Sequence, residues 1–363
     1  MLEKFIEECI EVESEHKFIF ILTNSPALHL LAKRYKNYGF FEFRLLEIRG
    51  HIHRLYVENF VFKGIVSRSG IDLVYNFTGS AQPYLDCPQL VKIQNLIFYS
   101  KKLNKRYREQ FKLILWFRQV LLKSIVFRFL LGRANYIEVQ SKHVEDCVSD
   151  FVNLENKRVF VKSDIKVDDG SIKGPKRYDF SKEIKFLFIV GPHFSYLHKN
   201  FSDFTRCMIE LIELDIDFQI NVTLTNEQLN NSRVWDSSLN SRTNFLGHIT
   251  DREKITDLFC DNTILISTSI IETLGMHVIE GIKNGVITIA PDEEYASSVY
   301  GDNMIKYELF NETSLVSAIM NTINFNESHC RQILLVQNDL RQSEKSKYNS
   351  ISDIFNEVAK GQQ

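Results

Sequence analysis

The 363-residue sequence has no paired cysteines. Its six cysteines are scattered singly, with no C-x-x-C pair and no Cys/His spacing of the kind that binds a metal. No apolar run reaches 18 residues before a Lys or Arg interrupts it, so no segment is predicted to span a membrane. The opening MLEKFIEECIEVESEHK is acidic and amphipathic, which is not typical of a signal peptide. These absences favour a cytoplasmic protein with reduced thiols.

An excess of charge of either sign is also missing. The chain has 44 Lys and Arg against 46 Asp and Glu, for a net charge of −2. This balance gives no global reason to expect nucleic-acid binding, so a charged partner would have to meet a local patch. A hydrophobic content of 44% and a charged content of 25% are typical of a soluble globular protein. The length favours two domains.

Short β-rich runs alternate with helical patterns along two stretches of the chain. The predicted strands are 17–24, 40–48, 70–79, 89–95 and 134–141, and then 184–191, 217–225, 243–248, 263–268 and 285–290. This alternation predicts an α/β protein with two Rossmann-like, doubly wound domains that face a central cleft. A polar stretch predicts a linker at 166–182 between domains at 1–165 and 183–345, followed by a C-terminal helix at 346–363 that could cross back.

The stretch IIETLGMHVIEGIKNGVITIA, residues 270–290, reads as loop, helix and strand. Gly275 at the helix start would let the backbone approach a ligand, and the free amides there suit a phosphate. Glu272 and Glu280 could each accept hydrogen bonds from sugar hydroxyls. Alternatively, both are solvated acids, since surface glutamate is the default.

Three motifs, which follow one another along the chain in the family's order, resemble the retaining GT-B glycosyltransferases of family four. They are the two glutamates eight positions apart with Leu274-Gly275 between them, the upstream run FLGHITDREK, and HKN at residues 198–200. The resemblance implies that Glu272 holds the donor sugar, Glu280 the ribose and Lys199 the diphosphate. It further implies donor contacts from Gly247 and Ile249 at the nucleobase and from Thr273, Leu274 and Gly275 near the phosphates.

The sequence departs from that family at two places. Many members have an arginine where His193 stands, so the resemblance implies that His193 lies beside the donor phosphates. The alternative for this residue is a structural loop histidine. Members also open with a strand and a glycine-rich loop, whereas this chain opens in a helical pattern and has no glycine before Gly39. The first strand of the fold is therefore expected to be absent.

The first domain would supply the acceptor side of the cleft. Gln94 and Asn95 fall in a loop that carries an active-site polar group in the family, often a histidine, and Asn95 is the candidate catalytic residue there. The alternative is that both are ordinary turn residues.

The implied function is transfer of a hexosyl group from a nucleotide-diphosphate sugar to a saccharide, with retention. No D-x-D motif stands in a recognisable setting, so neither a metal nor another cofactor is expected. Lys199 and the amides near Gly275 would stabilise the leaving diphosphate. The alternatives are a non-catalytic relative that acts as a partner or scaffold subunit, and a GT-B sugar-nucleotide epimerase.

Residues 101–133 are strongly basic, with ten Lys or Arg, the single acid Glu109, and several aromatic residues. This pattern favours contact with an anionic membrane surface. It predicts a peripheral protein on the inner face of the cell membrane, with a lipid-linked saccharide acceptor in surface-polysaccharide synthesis. The alternative is a helix that packs on the sheet and whose basic face is only solvated. Nucleic-acid binding is not predicted, because no binding module accompanies the segment.

Overall fold

A computed structural model gives the fold of most of the chain. It describes residues 2–11, 16–77, 79–97, 99–164, 173–249, 251–301, 304–311, 313–325, 328, 330, 333–334, 348 and 350–361. Two α/β domains form, and all paired strands in the described ranges are parallel. The predicted α/β class with parallel sheets is confirmed.

The first domain alternates strands with helices. Its strands are β1 (Phe18–Thr23), β2 (Phe41–Leu46), β3 (Val74–Asn76), β4 (Gln89–Lys92), β5 (Tyr136–Val139) and β6 (Arg158–Val161). Its helices are α1 (Leu2–Glu11), α2 (Pro26–Tyr35), α3 (His51–Tyr56), α4 (Phe62–Arg68), α5 (Lys101–Glu109), α6 (Leu113–Trp116), α7 (Leu122–Leu131) and α8 (Lys142–Ser149). π-helical turns at Val57–Val61 and Phe117–Leu121 join α3 to α4 and α6 to α7. Serine side chains cap several helices, as where the Ser25 hydroxyl accepts from the Leu28 amide ahead of α2.

The sheet of the first domain is in two parts. Strands β1 and β2 pair with each other, and β3, β4, β5 and β6 form a separate four-stranded sheet in that order. Within the described residues, no strand pairing joins β1 to β3.

The second domain is one continuous doubly wound sheet. Its strands are β7 (Ile184–Phe188), β8 (Phe218–Val222), β9 (Thr243–Phe245), β10 (Thr263–Ile266), β11 (Ile287–Pro291) and β12 (Ile305–Tyr307). Its helices are α9 (Phe201–Glu213), α10 (Asn226–Asn230), α11 (Arg252–Asp257), α12 (Met276–Lys283), α13 (Glu294–Tyr300) and α14 (Ser314–Ile323), with 3-10 turns at Leu197–Lys199 and Ser237–Arg242. The strand order β12-β11-β10-β7-β8-β9 places the first strand, β7, in the middle. Strands β10 and β11 are buried along their whole length, because helices cover both faces of a sheet of this kind.

Two further chain segments pack against the domains, one on each. Residues 173–182 of the predicted linker run along the second sheet, where the Tyr178 hydroxyl donates to the Thr263 carbonyl (2.6 Å) and accepts from the Ile287 amide (2.6 Å). Residues 166–172 of that linker lie outside the described residues. The last described helix, α15 (Ile351–Lys360), packs Ile354 and Phe355 into the core of the first domain.

A buried ionic network holds the first domain's strand ends against α1. The Lys92 ammonium lies 2.8 Å from carboxylate oxygens of both Glu138 and Asp164, and Lys162 lies 3.1 Å from Glu8. Burial acts to lower the pKa of Lys92, but the two carboxylates outweigh it and raise that pKa. The same ammonium groups hold the pKa of Asp164 below its usual range despite burial. Lys92 and Asp164 are therefore both charged at neutral pH.

The basic segment 101–133 is not one helix. It breaks between α5 and α6, where Phe111 adopts a left-handed backbone conformation (φ +52°). Helix α5 buries Leu103 and Tyr107. From Phe111 through α7, nine large apolar side chains are 45–87% exposed, and we call them the apolar ridge: Phe111, Leu113, Ile114, Leu115, Phe117, Leu122, Ile125, Val126 and Phe129. Among the described helices, none has the length and hydropathy needed to cross a membrane.

Candidate functional site

The candidate site lies at the carboxyl ends of β7 and β10, where the strand order of the second sheet reverses. From β7 the chain winds outward through β8 and β9 on one side, and later through β10, β11 and β12 on the other. Loops that leave two neighbouring strands in opposite directions open a crevice, and ligands of doubly wound sheets bind in it. The loop after β7 carries His193 and Lys199, and the loop after β10 carries Glu272 and Gly275.

An ion pair joins these two loops. The Lys199 ammonium lies 2.5 Å from Glu272 Oε1, and the Ser269 hydroxyl donates to the same oxygen at 2.7 Å. The backbones are joined as well, because the Thr268 hydroxyl donates to the Lys199 carbonyl (2.8 Å) and the Ile270 amide donates to the His198 carbonyl (2.8 Å). The fold thus brings two predicted site residues, 73 positions apart in sequence, into direct contact.

Glu272 is ionised in this setting. Burial acts to raise its pKa, but the charge of Lys199 and the hydrogen bonds from Lys199 and Ser269 hold the pKa below its usual range. Its side chain is only 17% exposed and that of Lys199 only 25%, so solvent screens the pair weakly. The site therefore holds a largely buried ammonium in direct contact with a carboxylate that is ionised at neutral pH.

Two histidines beside the pair are neutral. Burial lowers the pKa of His277 to about 4, and its Nε2 lies 2.9 Å from the Ser267 hydroxyl. Burial and the nearby Lys199 charge lower the pKa of His198 to about 4. Neither histidine adds positive charge at neutral pH, so Lys199 supplies the full positive charge of this group of four side chains.

Helix α12 begins beside Glu272 and requires glycine at its start. Gly275 has a left-handed backbone (φ +55°), and a β-carbon built on it would lie 1.7 Å from the Tyr300 hydroxyl oxygen. That hydroxyl donates to the Gly275 carbonyl (3.2 Å). The same β-carbon would lie 3.7 Å from the Glu272 Cβ, so the open amides of the first turn lie next to the ion pair. An ammonium beside a helix N-terminus forms a local setting for an anion.

The other predicted site residues of this segment differ in how far their side chains are buried. Leu274 is buried in an apolar cluster with Val278, so only its backbone is open to a ligand. Thr273 is half-buried in the loop. Glu280 is half-buried on α12, one turn after the exposed Met276, on the face of the helix that turns away from the core.

Gly247 and Ile249 follow β9 at the same carboxyl edge. The Gly247 amide donates to the Leu224 carbonyl (3.1 Å), and its backbone is left-handed (φ +68°). Strand β9 is three strand spacings from β10, or about 14 Å. These residues therefore lie on the opposite side of β7 from α12, at the same carboxyl edge of the sheet.

Two predicted residues have local contacts of their own rather than a hydrogen bond to the ion pair. His193 is exposed on the loop after β7, and its ring stacks on Tyr196 with centroids 4.8 Å apart. Asn95 is exposed after β4 in the first domain, where its side-chain oxygen accepts from the Ile97 amide (2.9 Å). This geometry is that of an ordinary turn residue. Gln94 is half-buried and lines a cavity in the first domain.

Sequence reasoning missed several residues that shape the site. His277 stands two positions after Gly275 and could have been noticed as a polar group in the first turn of the helix. The role of Tyr300 could not have been predicted from the sequence, because its contact with Gly275 joins α13 to the start of α12. The buried Tyr295 hydroxyl, which donates to the Ser269 carbonyl (2.6 Å), is hidden in the sequence for the same reason.

Helix α5 bridges the two domains beside the site. Its Arg106 guanidinium lies 4.2 Å from the ring centroid of Phe310, and Lys102 forms an ion pair with Glu293. In α8, His143 lies 3.6 Å from Glu294. The α5 part of the basic segment is thus engaged with the second domain, which leaves the apolar ridge as the part open to another partner.

Among the described residues, no group of three or more His, Cys, Asp or Glu side chains is placed to hold a metal ion.

Comparisons with known proteins identify the fold. No protein-family model matches the chain, and no curated protein matches it. Solved structures do match. Sucrose-phosphate synthase from Thermosynechococcus elongatus is similar with a TM-score of 0.61 at 13% identity, over 90% of this chain and 94% of that one. Anabaena Alr3699/HepE, solved with UDP and glucose, has a TM-score of 0.59 at 13% identity, over 99% and 95%.

A trehalose-6-phosphate synthase, studied for glycosyl transfer with retention, has a TM-score of 0.58 at 8% identity, over 88% of this chain and 94% of that one. Matches of this extent over both domains confirm the GT-B fold that the sequence predicts.

Proposed function

We propose that this protein is a retaining glycosyltransferase that moves a hexosyl group from a nucleotide-diphosphate sugar to a saccharide. The observation that carries the proposal is the Lys199–Glu272 pair at the start of α12, at the switch point of a GT-B sheet. The similar structures support it, since one of them was solved with UDP and glucose.

Lys199 and α12 would stabilise the leaving group. Expulsion of a nucleoside diphosphate builds negative charge on the leaving oxygen, and an ammonium with preorganised amides lowers the energy of that charge. Lys199 is the positive side chain beside α12, because the pKa values of His198 and His277 are both lowered to about 4. Lys199 and the amides of α12 would stabilise the leaving group without a metal or other cofactor.

Glu272 would hold the donor sugar. Lys199 and Ser269 both contact its Oε1, so Oε2 is the oxygen that would accept hydrogen bonds from sugar hydroxyls. A carboxylate that is already ionised and fixed needs little reorganisation to do this. Glu280, one turn into α12, would accept from the ribose, and Gly247 and Ile249 would meet the nucleobase.

Retention fits attack from the same face as the leaving group, with the acceptor hydroxyl hydrogen bonded to the departing phosphate. The similar trehalose-6-phosphate synthase was studied for transfer with retention, and it supports this choice. The α5 contacts with the second domain would keep water out of the cleft when the domains close.

The donor assignment can be tested by binding. Glu280→Ala should weaken the binding of the cognate nucleotide sugar, whereas Glu227→Ala, an exposed acid on α10, should leave it unchanged. Calorimetry with UDP-, GDP- and ADP-sugars measures both. Equal affinity in the two variants would remove Glu280 from the ribose site.

We further propose that the acceptor is a lipid-linked saccharide at the inner face of the membrane, in surface-polysaccharide synthesis. Support comes from the apolar ridge, whose exposed side chains alternate with Arg118 in the π-helical turn and with Lys123 and Arg128 in α7. Such a helix lies in the membrane interface with its apolar side chains among the lipids, and anionic lipids attract its cations. A segment with nine large exposed apolar side chains is typical of a surface that contacts a partner or a membrane.

Vesicle sedimentation tests the membrane proposal. The double variant Ile125→Ser, Phe129→Ser should lose most of its binding to anionic vesicles at low salt. Leu30→Ser removes a similarly exposed apolar side chain from α2 and should bind as the unaltered chain does. Undiminished binding by the ridge variant would contradict the proposal.

A non-catalytic role as a partner subunit is the second candidate. It is favoured by the split first sheet and by the engagement of Asn95 in its own turn. Nucleotide-sugar binding without any transfer to saccharide acceptors would favour this role.

A further inference from the structure

Helix α13 meets the first domain at its amino end. Glu293, the residue before the helix, forms an ion pair with Lys102 of α5, and its side chain is only 15% exposed. Glu294, the first residue of the helix, has a carboxylate oxygen 3.6 Å from Nδ1 of His143 on α8. Two helices of the first domain therefore contact two consecutive residues at the start of one helix of the second domain.

Tyr295, the next residue, reaches from this contact to the donor site. Its ring centroid lies 6.5 Å from that of His143, which is within the usual range for aromatic pairs. At the other end of the same side chain, the hydroxyl donates to the Ser269 carbonyl (2.6 Å). Tyr295 is only 2% exposed, and a ring packed this closely cannot turn without moving its neighbours. One buried side chain thus contacts both the first domain and the loop that carries Glu272.

The peptide group between Ser269 and Ile270 is held from both sides. Its carbonyl accepts from the Tyr295 hydroxyl, and its amide donates to the His198 carbonyl (2.8 Å). The side chain of Ser269 donates in turn to Glu272 Oε1 (2.7 Å). The position of the Glu272 carboxylate therefore depends on a peptide group whose orientation Tyr295 helps to fix.

Helix α13 also holds the start of α12. The Tyr300 hydroxyl donates to the Gly275 carbonyl (3.2 Å), and the rings of Tyr295 and Tyr300 lie edge to face with centroids 6.5 Å apart. Both tyrosines belong to one buried apolar cluster with side chains of α12. Since close-packed side chains transmit small displacements, a shift of α13 would move Gly275 and Ser269 together.

We propose that α13 transmits the docking of the first domain to the donor site, and that Tyr295 is the residue that positions Glu272 through Ser269. This inference rests on the proposed function, since it is the donor sugar that Glu272 would hold. While α5 and α8 lie against α13, the carboxylate is held in place. When the domains separate, Tyr295 loses its contact with His143 and the loop loosens. Transfer is then confined to the state in which the acceptor side and the donor side are together.

The test measures the loop directly, by amide hydrogen exchange in the full chain. The Ile270 amide reports on the loop, and the amide of Leu265, buried in β10, reports on the stability of the whole sheet. Tyr295→Phe removes the hydroxyl and keeps the ring, and Lys102→Met removes the ionic contact between the domains. The two changes are also combined in one chain, and carbon NMR follows the carboxyl resonance of Glu272 in each variant.

Each change has a matched control. Tyr307→Phe alters another buried tyrosine, whose hydroxyl has no hydrogen-bond partner among the described residues. Lys105→Met removes an exposed ammonium from the same helix as Lys102, where it pairs with Glu109 of that helix (3.6 Å). Both controls should leave exchange at Ile270 and the resonance of the site carboxylate as they are in the unaltered chain.

Exchange at Ile270 should be about fivefold faster in Tyr295→Phe and about threefold faster in Lys102→Met. In both variants exchange at Leu265 should be unchanged, and the Glu272 resonance should shift. The double variant should exchange as Tyr295→Phe alone does, because the contact that Lys102 supports acts through Tyr295.

Unchanged exchange at Ile270 in Lys102→Met would overturn the proposal, as would additive effects in the double variant. Equal acceleration at Leu265 would also overturn it, because Tyr295 would then only stabilise the domain. None of these measurements needs a nucleotide sugar. If they give the expected results and no nucleotide sugar binds, the donor assignment fails and the coupling between the domains stands.

Discussion

Replacing Lys199 by methionine removes the ammonium and keeps most of the side-chain volume. Glu272 then loses the ion pair at 2.5 Å and remains largely buried. A hydrogen bond to a charged group contributes about 1.5–3 kcal/mol, and the partial exposure of both side chains places this pair near the lower end. We expect the variant to be less stable by about 1.5–2 kcal/mol at pH 7.5. Such a loss lowers Tm by about 3–8 °C for a domain of this size.

The loss should depend on pH, with a sign fixed by Glu272. In the unaltered chain its folded pKa lies below the ordinary value of 4.5, so the pair contributes stability above pH 4.5 that disappears as pH falls through the folded pKa. In the methionine variant no ammonium opposes the effect of burial, so the pKa of Glu272 is raised. Ionisation of Glu272 then destabilises the fold as pH rises. The Tm difference between the two proteins should therefore be large at pH 7.5 and should shrink as pH falls below 4.5.

Thermal unfolding at a series of pH values measures this difference. Glu272→Gln and the double variant complete a mutant cycle, in which the coupling between the two positions should account for most of the loss. A Tm difference that is the same at pH 4 and pH 7.5, or a coupling near zero, would refute an ion pair between Lys199 and an ionised Glu272.

Two further perturbations test the packing around the site and the first domain. Gly275→Ala should cost about 2–4 kcal/mol in urea unfolding, because it adds left-handed strain and a clash with the Tyr300 hydroxyl, and Tyr300→Phe should restore part of the loss. Full stability of Gly275→Ala alone would show that α12 begins differently. Lys92→Met should cost about 3–5 kcal/mol at pH 7, since it leaves Glu138 buried without its cation. Glu138→Gln in the Lys92→Met background should recover stability, and a further loss would contradict this view.

The helix and strand that frame the site follow closely from the sequence. The prediction of a helix that starts at Gly275 and a strand that ends at Ala290 agrees with α12 and β11. Local features suffice there, because glycine marks the helix start and β-branched residues mark the strand. The contact between Lys199 and Glu272 does not follow from local features, because it depends on β7 and β10 being neighbouring strands. The family resemblance gave the two residues but not their contact.

Other parts of the fold could not be predicted from the sequence, for physical reasons. Strand β6 has four residues between charged neighbours, and β12 has three, so neither gives a clear alternating pattern. The basic segment has helical spacing throughout, and only the left-handed backbone of Phe111 shows that it folds as two pieces with different partners. The division of the first sheet does not follow from the sequences of its strands, because the residue pattern of a strand does not specify which strand it pairs with.

Calorimetric titration of a nucleotide-diphosphate sugar against the full chain is the most direct test of the proposed donor site. One of UDP-, GDP- and ADP-glucose should bind the unaltered chain, and Lys199→Met should bind it at least about tenfold more weakly, because a charge-assisted contact to the diphosphate is lost. Lys182→Met changes an exposed lysine just before β7, at the opposite end of that strand from the site, and should bind as the unaltered chain does. Binding of none of the three sugars, or equal binding by Lys199→Met, would contradict a donor site at Lys199, Glu272 and α12.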